Sequence, residues 1–88
     1  MLVEVTQSYK VSHDIELPYY SGNEYHFFKI INENLTLKVF IGHNNGSADV
    51  ELSEYLVKHA VDSDYSPITE AQFNEKFNIA LEILKSKI

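Results

Sequence analysis

The chain lacks cysteine and tryptophan, and its 88 residues include only one methionine, two prolines and three glycines. Without cysteine, no disulfide framework, thiolate zinc site or cysteine nucleophile can form, so packing alone must stabilise the fold. No apolar run approaches the roughly 18 residues that span a membrane. The N-terminus Met1-Leu2-Val3-Glu4 also lacks the basic segment that opens a secretory signal. We therefore expect a cytoplasmic protein without a membrane association.

Positive charge is also scarce. Seven lysines and arginines stand against thirteen acidic residues, which gives a net charge of −6. Such a field repels phosphate backbones, so we expect no binding to free nucleic acid. The hydrophobic content of 44% and the length of the chain suit one domain, residues 1–88, around a single core.

The first part of the chain has a period of two. From Val3 to Leu17 the odd positions are mostly apolar and the even positions are polar, which indicates a strand with one buried face. This stretch is longer than the usual strand of about five or six residues. It therefore predicts one long bent strand or a break near residues 12–14, and the preserved parity favours the bent strand. Pro18 ends the run, and residues 19–24 are predicted to form a loop.

Two further strands are predicted at Tyr25 to Ile31 and Leu35 to Ile41, which are rich in aromatic and β-branched residues. A two-residue turn at Glu33-Asn34 would place two apolar pairs on one face, Ile30 with Leu37 and Phe28 with Val39. The other face would then carry Phe27 opposite Phe40. The same turn opposes Lys29 to Lys38, so a three-residue loop remains an alternative.

Asn45-Gly46 is the strongest turn signal, because a type I′ turn needs positive φ angles at both central positions. A turn centred there pairs Ile41 with Val50 and Val39 with Leu52. This agreement predicts a strand from Ala48 to Leu52, although the same segment also begins a helical stripe. Ser53 is predicted to cap a short helix through about Val61, followed by a loop over residues 62–67.

The C-terminal helix carries the clearest local signals. Thr69 and Gln72 form a capping box, and Ile68 before the cap can pack against Phe73. A helical wheel predicts one sheet-facing stripe, formed by Phe73, Phe77, Ala80, Leu81, Leu84 and Ile88. Ile79 and Ile83 form a second ridge offset by roughly 120°. We expect this ridge to contact the short preceding helix or, alternatively, a partner subunit.

These elements predict an α+β fold. A small curled antiparallel sheet of about four strands packs against the C-terminal amphipathic helix, with a short additional helix before it.

No pattern in the chain predicts an enzyme, a metal site or a cofactor. The four histidines have no ligand spacing, although the predicted hairpin would bring His26 diagonal to His43; they are His13, His26, His43 and His59. Asp49, Glu51 and Glu54 are interpreted as a solvated strand face, because nothing places two carboxylates across a cleft. No nucleophile elbow, phosphate loop or dinucleotide fingerprint occurs.

Aromatic residues supply the candidate interaction surface. Three tyrosines flank a Ser-Gly-Asn segment, and tyrosine and phenylalanine near a surface loop often anchor interfaces. The predicted surface consists of Tyr19, Tyr20, Tyr25, Phe27, Phe40, Ile79 and Ile83. As an alternative, the N-terminal strand folds across the face of Phe27 and Phe40 and buries it. The same surface, or an unpaired strand edge, would let the chain form a homo-oligomer.

Three segments together resemble small proteins of phages and mobile elements that have no characterised activity. They are Leu17-Pro18-Tyr19-Tyr20, Phe28-Lys29-Ile30 and Ile68-Thr69-Glu70-Ala71-Gln72-Phe73. The resemblance implies no site residue. Our first hypothesis is a non-enzymatic domain that acts through contacts with an unknown protein partner. The alternatives are an acidic inhibitor that occupies a basic nucleic-acid-binding surface, and a small ligand binder or enzyme without a recognisable motif.

Overall fold

The computed structural model describes residues 1–6, 10–54, 57–61 and 64–88. Within these residues the chain forms seven β-strands, two α-helices and a 3-10 turn at His43–Asn45. The strands are β1 (Leu2–Thr6), β2 (Lys10–Asp14), β3 (Tyr19–Gly22), β4 (His26–Asn32), β5 (Leu35–Ile41), β6 (Ala48–Ser53) and β7 (Ser66–Pro67). The helices are α1 (Val57–Ala60) and α2 (Glu70–Ser86). None of the helices in the described part of the chain has the length and apolar character needed to cross a bilayer.

The predicted α+β class is confirmed. Five strands form an antiparallel sheet in the order β6-β5-β4-β3-β7, and α2 packs across it against β3 to β6. The sheet has five strands, where about four were predicted. β1 and β2 form a separate two-stranded antiparallel sheet. The face of the large sheet that α2 covers is called the inner face, and the opposite one is the outer face.

The long bent strand predicted for the N-terminal segment is wrong. β1 and β2 pair as antiparallel neighbours, with Val3 opposite His13 and Val5 opposite Val11. Residues 7–9, where the chain passes from one strand to the other, lie outside the described residues. The predicted break at residues 12–14 is also wrong, because these residues belong to β2. Odd positions pair with odd positions in this hairpin, so the alternation of apolar and polar residues continues from β1 into β2. The alternation alone therefore could not distinguish a hairpin from one bent strand.

The loop predicted for residues 19–24 is wrong at its start, where the chain forms β3. β3 pairs with β4 on one side and with β7, part of the predicted loop 62–67, on the other. Gly22 lies opposite Phe27, and a Cβ at Gly22 would come within 2.7 Å of the Phe27 ring. Glycine is needed here because the Phe27 ring approaches the backbone closely. Since glycine is more often found in turns, its presence in the sequence favoured a loop at this position.

A bulge in β4 changes the predicted register. The turn at Glu33-Asn34 brings Asn32 opposite Leu35 as predicted, but the register then shifts between Ile30 and Asn32. Ile31 is the extra residue in β4, and residues before it therefore pair one position away from the prediction. Before the bulge the register of the two-residue turn is wrong, and the pairing is that of the alternative three-residue loop.

The shifted register places Phe27 opposite Val39 and Phe28 opposite Lys38, while Phe40 lies opposite His26. Directly opposed residues of an antiparallel pair share a face. Phe27 and Phe40 therefore lie on opposite faces, and the predicted Phe27/Phe40 face does not exist. Lys29 lies opposite Leu37, so the predicted lysine pair does not form either.

Apolar side chains pack on both faces of the sheet. The inner cluster joins the sheet to α2 and contains Tyr20, Phe27, Val39, Ile41, Phe73 and Ala80. The outer cluster joins it to α1 and β1 and contains Val3, Ile15, Phe28, Ile30, Val57, Ala60 and Val61. The short helix predicted to follow Ser53 is present as α1, but Ser53 is the last residue of β6, so its predicted role as the cap is wrong. Tyr55 and Leu56, within the predicted helix, lie outside the described residues.

The strand predicted at Ala48 to Leu52 is confirmed as β6. Its register pairs Val39 with Val50 and Leu37 with Leu52, two positions away from the prediction. A shift of two keeps every side chain on its predicted face. The turn is centred one residue earlier than predicted, because Asn44 and Asn45 carry the positive φ angles of 56° and 55°. Gly46 instead donates its backbone N–H to the His43 carbonyl at 3.1 Å.

The capping box of α2 is confirmed in both directions. The Gln72 backbone N–H donates to Thr69 Oγ1 at 3.1 Å, and the Thr69 N–H donates to Gln72 Oε1 at 2.8 Å. The ridge of Ile79 and Ile83 packs against the inner cluster with Phe73 and Ala80, whereas α1 packs in the outer cluster, so the prediction that the ridge contacts the short helix is wrong. The helix is thus rotated towards Ile79 and Ile83 relative to the predicted stripe, whose last member, Ile88, is fully exposed.

Two buried hydroxyl groups on the outer face differ in their hydrogen bonding. Ser21 Oγ donates to the Ala60 carbonyl at 2.5 Å and so connects β3 to α1. Thr36 lies between Ile30 and Ser53 in adjacent strands, and its side chain is fully buried. Thr36 Oγ1 finds no hydrogen-bond partner in the described part of the chain. A buried hydroxyl without a partner retains its full desolvation cost.

We predict that Thr36→Val raises the free energy of unfolding by about 1 kcal/mol, since valine keeps the shape and removes the unpartnered hydroxyl. For a domain of this size, this corresponds to a rise in Tm of about 4–8 °C. Ser21→Ala is the matched control, and it should lower Tm because the Ala60 carbonyl loses its donor. Thermal unfolding followed by circular dichroism measures both changes. A fall in Tm for Thr36→Val similar to that for Ser21→Ala would contradict the prediction.

Candidate functional site

The outer cluster does not cover one corner of the outer face, where β4, β5 and β6 lie side by side. Antiparallel pairing arranges its side chains in two rows across β4, β5 and β6. The first row runs His26, Phe40, Asp49, and the second runs Phe28, Lys38, Glu51. Phe28 belongs to the outer cluster. The other five residues form what we call the open patch: His26, Lys38, Phe40, Asp49 and Glu51.

Contacts between aromatic rings hold the part of the open patch that adjoins the outer cluster. The His26 and Phe40 rings lie in adjacent strands with their centroids 5.2 Å apart. Tyr65 contacts the edge of the patch, with its ring 6.4 Å from His26 and 4.8 Å from the buried Phe28. Both Tyr65 contacts are close to perpendicular, a favourable geometry for aromatic pairs. The aromatic part of the patch is therefore continuous with the outer cluster.

Charge in the open patch is separated by strand. Asp49 and Glu51 are exposed on β6, whereas Lys38 on β5 and His26 on β4 are half-buried. Burial lowers the pKa of His26, and the nearby positive charge of Lys38 lowers it further. His26 is thus favoured in its neutral form, and the carboxylates are the outermost charges of the patch.

The predicted interaction residues are distributed over several environments. Tyr20 and Phe27 are buried in the inner cluster, and Ile79 and Ile83 pack against it. Tyr19 packs against the outer cluster, and this burial raises its pKa. Tyr19 therefore lies on the opposite side of the sheet from the other four residues, and the structure does not bring the five together at one surface. Of the predicted set, Phe40 alone belongs to the open patch.

Tyr25 lines a polar depression beside the β5–β6 connection. The depression has a volume of about 260 Å³ and is lined by Glu24, Tyr25, Phe27, Ile41, Gly42, His43, Asn44, Asn45 and Lys76. Lys76 Nζ lies 5.5 Å from the centroid of the Phe27 ring, a cation–π distance. The volume is below the usual range for pockets that enclose a drug-sized ligand, about 300–1,000 Å³.

The predicted diagonal approach of His26 and His43 is wrong. His26 lies on the outer face opposite Phe40, whereas His43 lines the depression with Phe27 and Ile41. The bulge at Ile31 causes this difference, because it moves His26 one position along β5. Among the described residues, no three His, Asp or Glu side chains are grouped in a way that could hold a metal ion.

A second cavity, of about 450 Å³, lies between β1, the β4–β5 turn and α1. Its apolar lining consists of Met1, Leu2, Val3 and Val57, and its charged lining of Glu33, Glu54 and Lys58. This combination of apolar walls with a few charged groups is typical of sites for small amphipathic molecules.

Sequence reasoning missed most of the open patch. The sequence around Asp49 and Glu51 indicates only a solvated strand face, and no local signal links Tyr65 to His26. The alternation of β6 was the one available signal, because residues 49 and 51 must share a face in any strand that begins at Ala48. The approach of Tyr65 depends on packing between distant segments.

Comparison of the chain with protein-family models, with curated proteins and with solved structures finds no match.

We predict that the imidazole of His26 titrates with a midpoint below the ordinary value of about 6.5. Since the folded-state pKa is lowered, the unfolded chain takes up a proton first as the pH falls. His26 therefore contributes stability above about pH 6.5 that is lost as the pH falls towards its folded pKa. The measurement is an NMR titration of the ring protons, compared with the same chain in denaturant.

Lys38→Gln should raise the His26 midpoint only part of the way, because burial is the larger cause of the lowered pKa. A midpoint equal to that in denaturant, in the unmodified protein, would contradict the prediction.

Proposed function

We propose that this protein is a non-enzymatic interaction domain that binds a positively charged surface of a protein partner through the open patch. The observation that carries the proposal is the juxtaposition of half-buried rings with exposed carboxylates on one continuous surface. His26 and Phe40 supply the rings, and Asp49 and Glu51 lie beside them along β6.

The chemistry of the patch suits a protein interface. Aromatic side chains held by neighbouring rings lose little conformational freedom on binding, which makes them good anchors. Carboxylates around such an anchor favour a partner that carries lysine or arginine. The net charge of −6 acts in the same direction over a longer range and speeds the approach of a basic partner.

Two other functions remain as alternatives. An acidic inhibitor of a nucleic-acid-binding protein would use the same carboxylates but would depend on charge more than on Phe40. A small amphipathic ligand is favoured by the cavity of about 450 Å³ near Val57 and Lys58. If ligand binding is the function, apolar compounds with an ammonium or carboxylate group should raise the Tm of the protein by mass action.

The proposed function predicts that a partner captured from native lysate depends on the patch carboxylates. Asp49→Asn with Glu51→Gln keeps the side-chain sizes and removes two negative charges, so capture should fall by about tenfold or more. The matched control is Glu16→Gln with Glu75→Gln, two exposed positions outside the patch with the same change in net charge. Quantitative immunoblotting or mass spectrometry of the bound fraction measures the effect.

Equal capture by the two double variants would overturn the proposal. A partner that is lost in about 0.5 M salt, and whose binding Phe40→Ala does not weaken, would support the acidic-inhibitor alternative instead.

A further inference from the structure

The edge of the sheet next to the open patch is formed by β6. Its one partner strand among the described residues is β5, since β6 ends the strand order. The other edge is the two-residue strand β7, which contains Pro67. β6 is six residues long and contains neither proline nor glycine, which are the usual interruptions of an edge.

The register shows which backbone groups of β6 point away from β5. The Gly42 N–H donates to the Ser47 carbonyl at 2.8 Å, so these two residues form a hydrogen-bonded pair. Hydrogen-bonded and non-hydrogen-bonded pairs alternate along an antiparallel ladder. Asp49 and Glu51 are therefore in hydrogen-bonded pairs with β5, and the N–H and C=O groups of Ala48, Val50 and Leu52 point outwards.

The side chains of β6 also alternate. Asp49 and Glu51 lie on the outer face with the open patch, while Val50 and Leu52 lie on the inner face opposite Val39 and Leu37. Leu52 is 60% exposed despite its apolar character. The edge thus presents backbone groups that have no strand partner among the described residues, between a row of carboxylates and a row of apolar side chains.

A second copy of the chain is a poor occupant of this edge. An antiparallel pairing of two β6 strands that keeps apolar side chains on one face and overlaps five residues of each strand centres on Val50 or Glu51. These arrangements oppose Asp49 to Glu51, or Glu51 to Glu51. Like charges directly opposite each other destabilise a strand pair. The carboxylates therefore act against self-pairing and favour a strand of opposite charge.

We propose that β6 receives an extended segment of the protein partner as an additional strand, with lysine or arginine at alternate positions and aliphatic residues between them. The basic side chains lie opposite Asp49 and Glu51, the aliphatic ones pack beside Val50 and Leu52, and the outward backbone groups of β6 complete the ladder. This inference depends on the proposed function, because it specifies the partner chemistry and the strand that receives it.

The first test compares two labelled peptides of identical composition on the unmodified protein, Lys-Val-Lys-Leu-Lys-Val and Lys-Lys-Lys-Val-Leu-Val. Fluorescence anisotropy at about 0.1 M salt should show a Kd about tenfold lower for the alternating peptide. Hydrogen exchange should slow at the backbone N–H groups of Val50 and Leu52 when this peptide is bound. Equal affinities, or unchanged exchange at both groups, would overturn the strand-addition inference.

The second test uses Leu52→Pro, which removes an outward N–H but no bond to β5. Leu52→Ala is the matched control, because it shortens the same exposed side chain and keeps the N–H. Leu52→Pro should weaken binding of the alternating peptide by about tenfold or more, and Leu52→Ala by about threefold or less. Two-dimensional NMR spectra check that both variants are folded, and the first test decides the question if Leu52→Pro is not.

Capture of the lysate partner distinguishes failure of strand addition from failure of the proposed function. Loss of capture with both Leu52→Pro and the Asp49/Glu51 double variant supports strand addition. Retention by Leu52→Pro, with loss in the double variant, overturns strand addition and leaves the proposed function in place. Retention by both variants overturns the proposed function and strand addition together.

Discussion

The arrangement of the molecule depends on one extra residue in β4. The bulge at Ile31 sets the register of the strand, and a one-position slip would move each preceding side chain to the other face. As folded, Phe27 enters the inner cluster against α2, while Phe28 and Ile30 enter the outer cluster against α1. The slipped register would reverse these assignments and separate each ring from its partners. Both clusters therefore depend on the same bulge.

The bulge also determines what surrounds the charged residues of β4 and β5. Lys29 lies on the inner face, where its ammonium group is 5.7 Å from the Tyr20 ring centroid. A lysine is tolerated there because its alkyl chain packs against apolar surface and its charge contacts an aromatic ring. Lys38 and Phe40 lie on the outer face, next to the carboxylates of β6. The position of His26 in the open patch is thus a consequence of a local irregularity five residues away in the same strand.

Elements that depend on local signals could be predicted from the sequence. The capping box at Thr69 and Gln72, the strand from Leu35 to Ile41 and the turn at Glu33-Asn34 all follow from residues close together in the chain. The bulge left only an indirect signal, the opposition of Lys29 to Lys38 in the two-residue register, which the shift of one position removes. β3 was missed for a different reason: Ser21 and Gly22 resemble a loop, yet their small size serves a hydrogen bond to Ala60 and the approach of Phe27.

The site was less predictable than the fold because it is made by pairing across strands. Phe40 was a candidate because of its residue type. Its neighbours His26 and Asp49 depend on the β4–β5 and β5–β6 registers, which differ from the predicted registers by one and two positions. The one-position difference between β4 and β5 reversed faces, whereas the two-position difference between β5 and β6 did not. That contrast explains why β6 was assigned its correct alternation while the predicted Phe27/Phe40 face does not exist.

The sheet packs an apolar cluster on each face, and the chain is short. Few apolar side chains therefore remain to cover the corner formed by β5 and β6. A short domain buries a smaller fraction of its surface than a long one, so some part of a sheet covered on both faces remains open. Here the open part includes the edge strand β6, whose backbone groups that point away from β5 have no partner among the described residues. Carboxylates at Asp49 and Glu51 make this edge unfavourable for a second copy and favourable for a basic strand. In the function proposed above, protection from self-association and selection of a basic partner are two effects of the same pair of charges.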